Sequence, residues 1–183
     1  MHAFCREKYH VMRLRKTEAG FTLIELIVVI IILAILAATA LPRFANLQTQ
    51  ARIAKLNGAL GAVKGAAALS HAACLAATPQ CTGQPGSGSI DMEGAVVSMV
   101  NTYPTAEQTG IIRAAGINVD PGSSDGYLVQ GGGPATGAVL KIMVTGNDQD
   151  QCFFIYTAPP VNQAPTFGNP TNPGTTSGST TGC

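Results

Sequence analysis

The pattern of hydrophobic and polar positions changes at Pro42. From Phe21 to Leu41 the residues are apolar apart from two threonines and one charge, Glu25. A helix of this length rises about 31 Å, which matches the hydrocarbon thickness of a bilayer. The pattern predicts a helix that crosses a membrane and leaves it near Pro42.

Beyond Pro42 the apolar residues recur every three or four positions, which is typical of one face of an amphipathic helix. This stripe comprises Ile53, Leu56, Leu60, Val63, Ala67 and Cys74. A second stripe has only small residues: Ala51, Ala54, Gly58, Gly61, Gly65, Ala68 and Ala72. The basic residues here are most simply a solvated face: Arg52, Lys55 and Lys64. We expect one helix from about Phe21 to Ala77, with its larger stripe against a sheet.

The remainder of the chain favours strands. Tyr127–Gln130, Ala138–Thr145 and Cys152–Thr157 have strand composition, and residues 146–148 form a turn between the last two. The segment Thr105–Gln108 resembles a capping box that opens a short helix. From Ala158 onward, prolines alternate with polar residues, so the tail is predicted to be too polar for a core. The predicted fold class is α+β, with a long helix packed on a small antiparallel sheet of three or four strands.

Charge divides the chain into a basic head and a mildly acidic remainder. The first twenty residues hold five basic and two acidic side chains, although the whole chain has a net charge of only +1. Basic residues before a membrane helix predict a cytoplasmic N-terminus. A cleaved secretory signal is the alternative, with Ala37–Ala40 as its cleavage site, but the apolar run is longer than such signals usually have. Met12 offers an internal start.

The composition argues against an enzyme. His71 is the one histidine beyond the basic head, so neither a catalytic triad nor a metal site has convergent residues. The aspartates 120, 125, 148 and 150 fit turns better than a calcium loop. We predict no cofactor and no bound metal, and a membrane-anchored enzyme stays a minor alternative. The acidic balance gives no support to nucleic-acid binding, which needs clustered lysine and arginine.

The segment Gly20–Glu25 (GFTLIE), between a basic leader and a long apolar run, resembles the start of type IV prepilins, a class that includes type II secretion pseudopilins. The resemblance implies that a prepilin peptidase cuts between Gly20 and Phe21 and methylates the new N-terminus. It implies that Glu25 pairs with the Phe21 amine of a neighbouring subunit, and that Pro42 kinks the helix or lets it melt locally. It also suggests that neighbouring subunits' helices approach the small stripe, with the chain's own sheet as the alternative.

The same resemblance implies an organisation and a life cycle. The chain would divide into a leader (1–20), a membrane and filament-core helix (21–42), an amphipathic helix (43–77) and an external globular head (78–183). The subunit would wait in the inner membrane until an assembly platform and separate ATPases polymerise it into an extracellular filament for adhesion or motility. The segment Pro42–Gln48 and the closing Gly182-Cys183 are similar to the mannose-sensitive haemagglutinin type of major pilin. A secretion pseudopilin is the alternative within the class.

Four cysteines lie beyond the leader, and they allow three pairings: Cys74, Cys81, Cys152 and Cys183. The predicted topology puts them outside the cytoplasm, where disulfides persist. We favour Cys74–Cys81, which closes a short loop, and Cys152–Cys183, because pilins pin a C-terminal loop to the sheet by a disulfide. A zinc site lacks a C-x-x-C pair or a nearby histidine.

Overall fold

The computed structural model describes residues 20–77, 81, 88–120, 122–123, 125–146, 148–168 and 178–183. The leader before Gly20 and Asn147 of the predicted turn lie outside these ranges. The chain forms two compact units, Met1–Arg43 and Phe44–Cys183.

Helix α1 spans Leu23–Ala76, so the prediction of a helix from Phe21 to Ala77 is confirmed to within two residues. In the second unit α1 turns the predicted larger stripe to the interior. Leu56, Val63 and Cys74 are fully buried, and Leu60 and Ala67 are nearly so. The amphipathic pattern beyond Pro42 therefore reports a true interior face.

The first sheet has three antiparallel strands in the order β1 (Gly88–Met92), β2 (Ala95–Val100) and β3 (Tyr103–Pro104). Two-residue turns join the strands, with positive φ at both central residues of each turn. These turns suit the right-handed twist of a hairpin. The sequence showed only an apolar stretch at β2, because β1 is rich in small and polar residues and β3 is two residues long.

The second sheet has the order β4 (Tyr127–Gly131), β5 (Val139–Val144), β6 (Phe153–Thr157) and β7 (Thr166–Gly168), all antiparallel. The first three match the predicted strands. β7 corrects the prediction for the tail after Ala158: it pairs with β6, and the Phe167 ring lies 5.6 Å from that of Tyr156. Strand pairing uses backbone groups, so a polar segment can complete a sheet edge.

The core lies between the second half of α1 and both sheets, which confirms the α+β fold class. Its main cluster joins α1 residues to buried side chains of β5 and β6, including Leu140, Ile142, Phe154 and Tyr156. A short helical turn at Gln108–Ile112 adds two buried isoleucines. The predicted capping box before it is wrong. Thr105 is buried, and its amide donates to the Ser98 carbonyl of β2 at 2.9 Å. The threonine therefore joins the turn to β2 and does not cap the helical turn.

Two disulfides close the second unit, Cys74–Cys81 and Cys152–Cys183. This is the pairing favoured from the sequence. All four cysteines are buried. The first bond ties the C-terminal end of α1 to residue 81, and the second ties the final residue of the chain to the start of β6.

Candidate functional site

The first half of α1 is apolar on every side, and none of it is covered. Gly20 to Thr39 are all exposed, including Ile30 (54%) and Leu33 (58%). By length and composition this stretch is able to cross a membrane. An apolar helix without a buried face requires an apolar environment from outside the chain.

A capping box starts this helix, and it involves one of the predicted assembly residues. The backbone amide and the hydroxyl of Thr22 both donate to Glu25 Oε2, at 2.9 and 2.8 Å. The Glu25 amide in turn approaches Thr22 Oγ1 at 3.4 Å. These contacts satisfy amides that have no partner within the helix.

The resemblance implied only a pairing of Glu25 with a neighbouring subunit. The spacing Thr-x-x-Glu directly before an apolar run was the signal that could have revealed the cap. Glu25 therefore has a partner within its own chain, and any test of its role in assembly has to separate the two functions.

Of the other predicted residues of this segment, Gly20 and Phe21 lie beside the cap and Pro42 lies farther along α1. Gly20 and Phe21 precede the first helical residue, and Phe21 is 87% exposed. The peptide between them is thus outside regular structure. Position 42 lies inside α1, so the helical assignment continues through the proline. The kink or local melting that the resemblance implies there stays a prediction.

The stripe of small residues faces away from the core. All seven of its members are exposed: Ala51, Ala54, Gly58, Gly61, Gly65, Ala68 and Ala72. Apart from the helix's own backbone, a side-chain carbon built on each of the three glycines would meet no atom of the described residues within 4 Å. Packing against the chain's own sheet, one of the two expectations for this stripe, is therefore wrong, because the larger stripe occupies that face.

The basic residues of α1 are not a simple solvated face. Arg52 Nη1 donates to the Cys183 carbonyl at 3.0 Å, and the Lys55 amine donates to the Asp125 carbonyl. Lys55 also lies over the Tyr127 ring, and Lys64 lies 5.7 Å from the Phe167 ring. These contacts fasten the loops and the end of the chain to α1.

Comparison with known proteins assigns the N-terminal segment. A family model described as the prokaryotic N-terminal methylation motif matches residues 15–41. The type IV narrow pilus major component PilA5 of Thermus thermophilus is 49% identical over 51 residues, which are 28% of this chain. The N-terminal segment is therefore similar to that of a type IV pilin. The chain spans 44% of that relative's length, and no solved structure gives a significant match.

The matched segment contains the exposed apolar part of α1, which is joined to a disulfide-bonded α+β unit. Within the described ranges no three His, Cys, Asp or Glu residues are grouped as metal ligands would be. Asp150, one of the aspartates considered for calcium, forms a 2.9 Å ion pair with Lys141.

Proposed function

We propose that the chain is the structural subunit of a type IV pilus filament. It is cut after Gly20 by prepilin peptidase, methylated at Phe21 and polymerised through α1. The observation that carries the proposal is the uncovered apolar half of α1 directly behind a methylation motif. Bilayer lipid covers this surface before assembly, and the helices of other subunits cover it afterwards.

The exposed small-residue stripe supports packing through the second half of α1 as well. Small side chains let helix backbones approach closely, as they do between helices in membranes. Its three glycines each lower helix stability by about 1 kcal/mol relative to alanine. Close contact with a neighbouring subunit would offset that cost, since no other element among the described residues comes within 4 Å of a side-chain carbon built at these glycines.

Glu25 fits the proposed pairing with the Phe21 amine of the next subunit. Both hydrogen bonds from Thr22 go to Oε2, which leaves Oε1 for a partner, and a carboxylate accepts about four hydrogen bonds. An unpaired charge in an apolar filament core is expensive, so this pairing selects the register between subunits.

The remaining parts of the proposal concern location and use. Before assembly the subunit crosses the inner membrane once, with its N-terminus in the cytoplasm as the basic leader favours. An assembly platform and its ATPases then move it into an extracellular filament that serves adhesion or motility. Within the class, the residues at Pro42–Gln48 favour a major pilin of the mannose-sensitive haemagglutinin type.

Mass spectrometry of filaments sheared from the cell surface tests the proposal. We expect a dominant chain that starts at methylated Phe21 and contains two disulfides. The same processed chain held in the envelope, without surface filament, would favour a secretion pseudopilin. A chain cut near Ala40, or left uncut after Gly20, would contradict the proposal.

Three substitutions at Glu25 separate its charge from its cap. Glu25→Gln keeps a capping side chain but removes the charge, whereas Glu25→Ala removes both. We expect both variants to be cleaved normally and to form few or no filaments, while Glu25→Asp retains partial assembly. If Glu25→Gln assembles like the parent chain, the carboxylate acts as a cap and the proposed pairing is wrong.

A further inference from the structure

One hydrogen bond joins the second half of α1 to the first sheet through a sulfur atom. The Ser70 side chain is fully buried, and its hydroxyl donates to Met92 Sδ at 3.1 Å. A hydroxyl has a single proton to donate, and the thioether sulfur is a weak acceptor that offers its lone pairs. This contact therefore fixes one lone pair of Met92 toward the interior of the second unit.

Met92 lies at the boundary between the interior and the solvent. It is the last residue of β1 and pairs with Ala95 across the turn Glu93–Gly94. Its side chain is half-buried and covers the smaller core cluster. This cluster consists of Cys74, Cys81, Ile90, Val97 and Met99. One side of the Met92 side chain thus faces buried residues, and the rest of it is exposed to solvent.

The methionines of the described ranges differ in exposure. Met99 is fully buried, Met143 is 7% exposed, and Met92 is half-buried. An oxidant in water has to reach the sulfur before it reacts, so Met92 is the reactive methionine of the folded unit. The cysteines of the second unit are already joined in disulfides, so none of them is a thiol that competes for the oxidant.

The hydrogen bond from Ser70 also limits the stereochemistry of oxidation. The lone pairs of a thioether lie on opposite sides of the plane of its C–S–C atoms. Oxygen added on one side or the other gives different sulfoxide epimers. Because the Ser70 hydroxyl occupies the lone pair on the interior side, the lone pair on the opposite side is the one that an oxidant can reach.

We propose that Met92 is a reversible oxidation site at which peroxide forms a single sulfoxide epimer. The accessible lone pair of Sδ attacks one oxygen of hydrogen peroxide, and the S–O bond forms as the O–O bond breaks. The hydroxide that leaves takes the proton of the transferred oxygen and departs as water, so the sulfur is oxidised and the peroxide is reduced. A reductase of matching stereospecificity restores the thioether, as its thiols form a disulfide and the oxygen leaves as water. The site is independent of filament assembly.

The test treats the full chain, in peroxide-free detergent, with hydrogen peroxide. Digestion with trypsin and a glutamate-specific protease then cleaves after Glu93 and separates Met92 from Met99, and mass spectrometry measures the oxidation of each peptide. Reductases specific for the R or the S epimer report the epimer ratio. We expect Met92 to oxidise at least about tenfold faster than Met99 and Met143, with one epimer in about fivefold excess.

Ser70→Ala leaves the sulfur free to turn, so the epimer ratio should fall toward one. Ser98→Ala is the matched control, because the Ser98 hydroxyl lies on β2 of the same sheet and donates to Thr109 Oγ1 at 3.1 Å instead of to sulfur. It leaves the ratio unchanged. The proposal is overturned if the parent chain gives equal epimers at Met92, if Met99 or Met143 oxidises as fast as Met92, or if Ser70→Ala keeps the ratio of the parent chain.

Discussion

The two halves of α1 meet opposite surroundings. Leu23–Arg43 is apolar around its whole circumference, and no side chain described there is fully buried. Phe44–Ala76 turns one face, with Leu56, Leu60 and Val63, into the core, while its other large apolar residues stay exposed: Phe44, Leu47, Leu69 and Leu75. The two halves differ in periodicity as well as in hydrophobic content. A stripe identifies a partner within the chain, whereas apolar residues on every side identify a partner outside it.

Two matched leucines, one in each half of α1, should show the largest difference in stability on substitution. Leu56 is fully buried, and Leu33 is 58% exposed. We expect Leu56→Ala to lower the free energy of unfolding of the second unit by about 3–5 kcal/mol, because it leaves a cavity. Leu33→Ala should leave that free energy unchanged. Urea unfolding in detergent, followed by tyrosine near-ultraviolet circular dichroism, measures both, and equal losses would contradict the comparison.

The same contrast explains what could be predicted from the sequence. The interior stripe around Leu56 and Val63 followed from periodicity, and three strands of the second sheet followed from composition and a turn signal. The strands β1, β3 and β7 did not, because pairing to a sheet edge is a long-range backbone interaction that leaves little trace in short or polar segments. Tertiary contacts also overrode local signals. Thr105 had capping-box spacing but bonds to Ser98 instead.

The candidate assembly residues also differ in how far they could be predicted from the sequence. Gly20, Phe21 and Glu25 were visible as a short motif. The outward direction of the small stripe required the structure, since sequence spacing separates faces but does not say which one the sheet covers.

Removing either disulfide should lower the free energy of unfolding of the second unit alone, and the two losses should differ in size. Cys152–Cys183 joins residues 31 positions apart, and Cys74–Cys81 joins residues 7 apart. Chain entropy predicts losses of about 4 and 2 kcal/mol when each pair is replaced by alanine. Urea unfolding of the two double variants measures which loss of unfolding free energy is larger. A larger loss at Cys74–Cys81 would show that its packing at the end of α1 outweighs loop length.

Alkaline pH should unfold the second unit while the apolar half of α1 stays helical. Burial, followed by the influence of Tyr103, raises the pKa of Tyr156 far above its usual value. Its hydroxyl donates to the Pro104 carbonyl at 2.7 Å. Because the folded-state pKa exceeds the unfolded value of about 10, this stabilisation is complete below pH 10 and declines above it.

Above pH 10 the ionisation of Tyr156 should lower the free energy of unfolding by up to about 1.4 kcal/mol per pH unit. Tyr156→Phe should be slightly less stable at pH 8, by about 1 kcal/mol for the lost hydrogen bond, and should show a shallower decline. Urea midpoints between pH 8 and 12 compare the two proteins. The same slope in both would mean that Tyr156 does not carry the effect.

The smallest expected effect concerns the first half of α1 and its cap. Thr22→Val removes a hydroxyl that bonds Glu25, while Thr39→Val removes one that bonds the Leu36 carbonyl within an already formed helix. A cap contributes about 1 kcal/mol, so the amides of Leu23–Leu26 should exchange hydrogen about fivefold faster in Thr22→Val. Thr39→Val should not change them. Equal exchange in both variants would mean that the surrounding apolar phase, rather than the cap, holds the first turn of this helix.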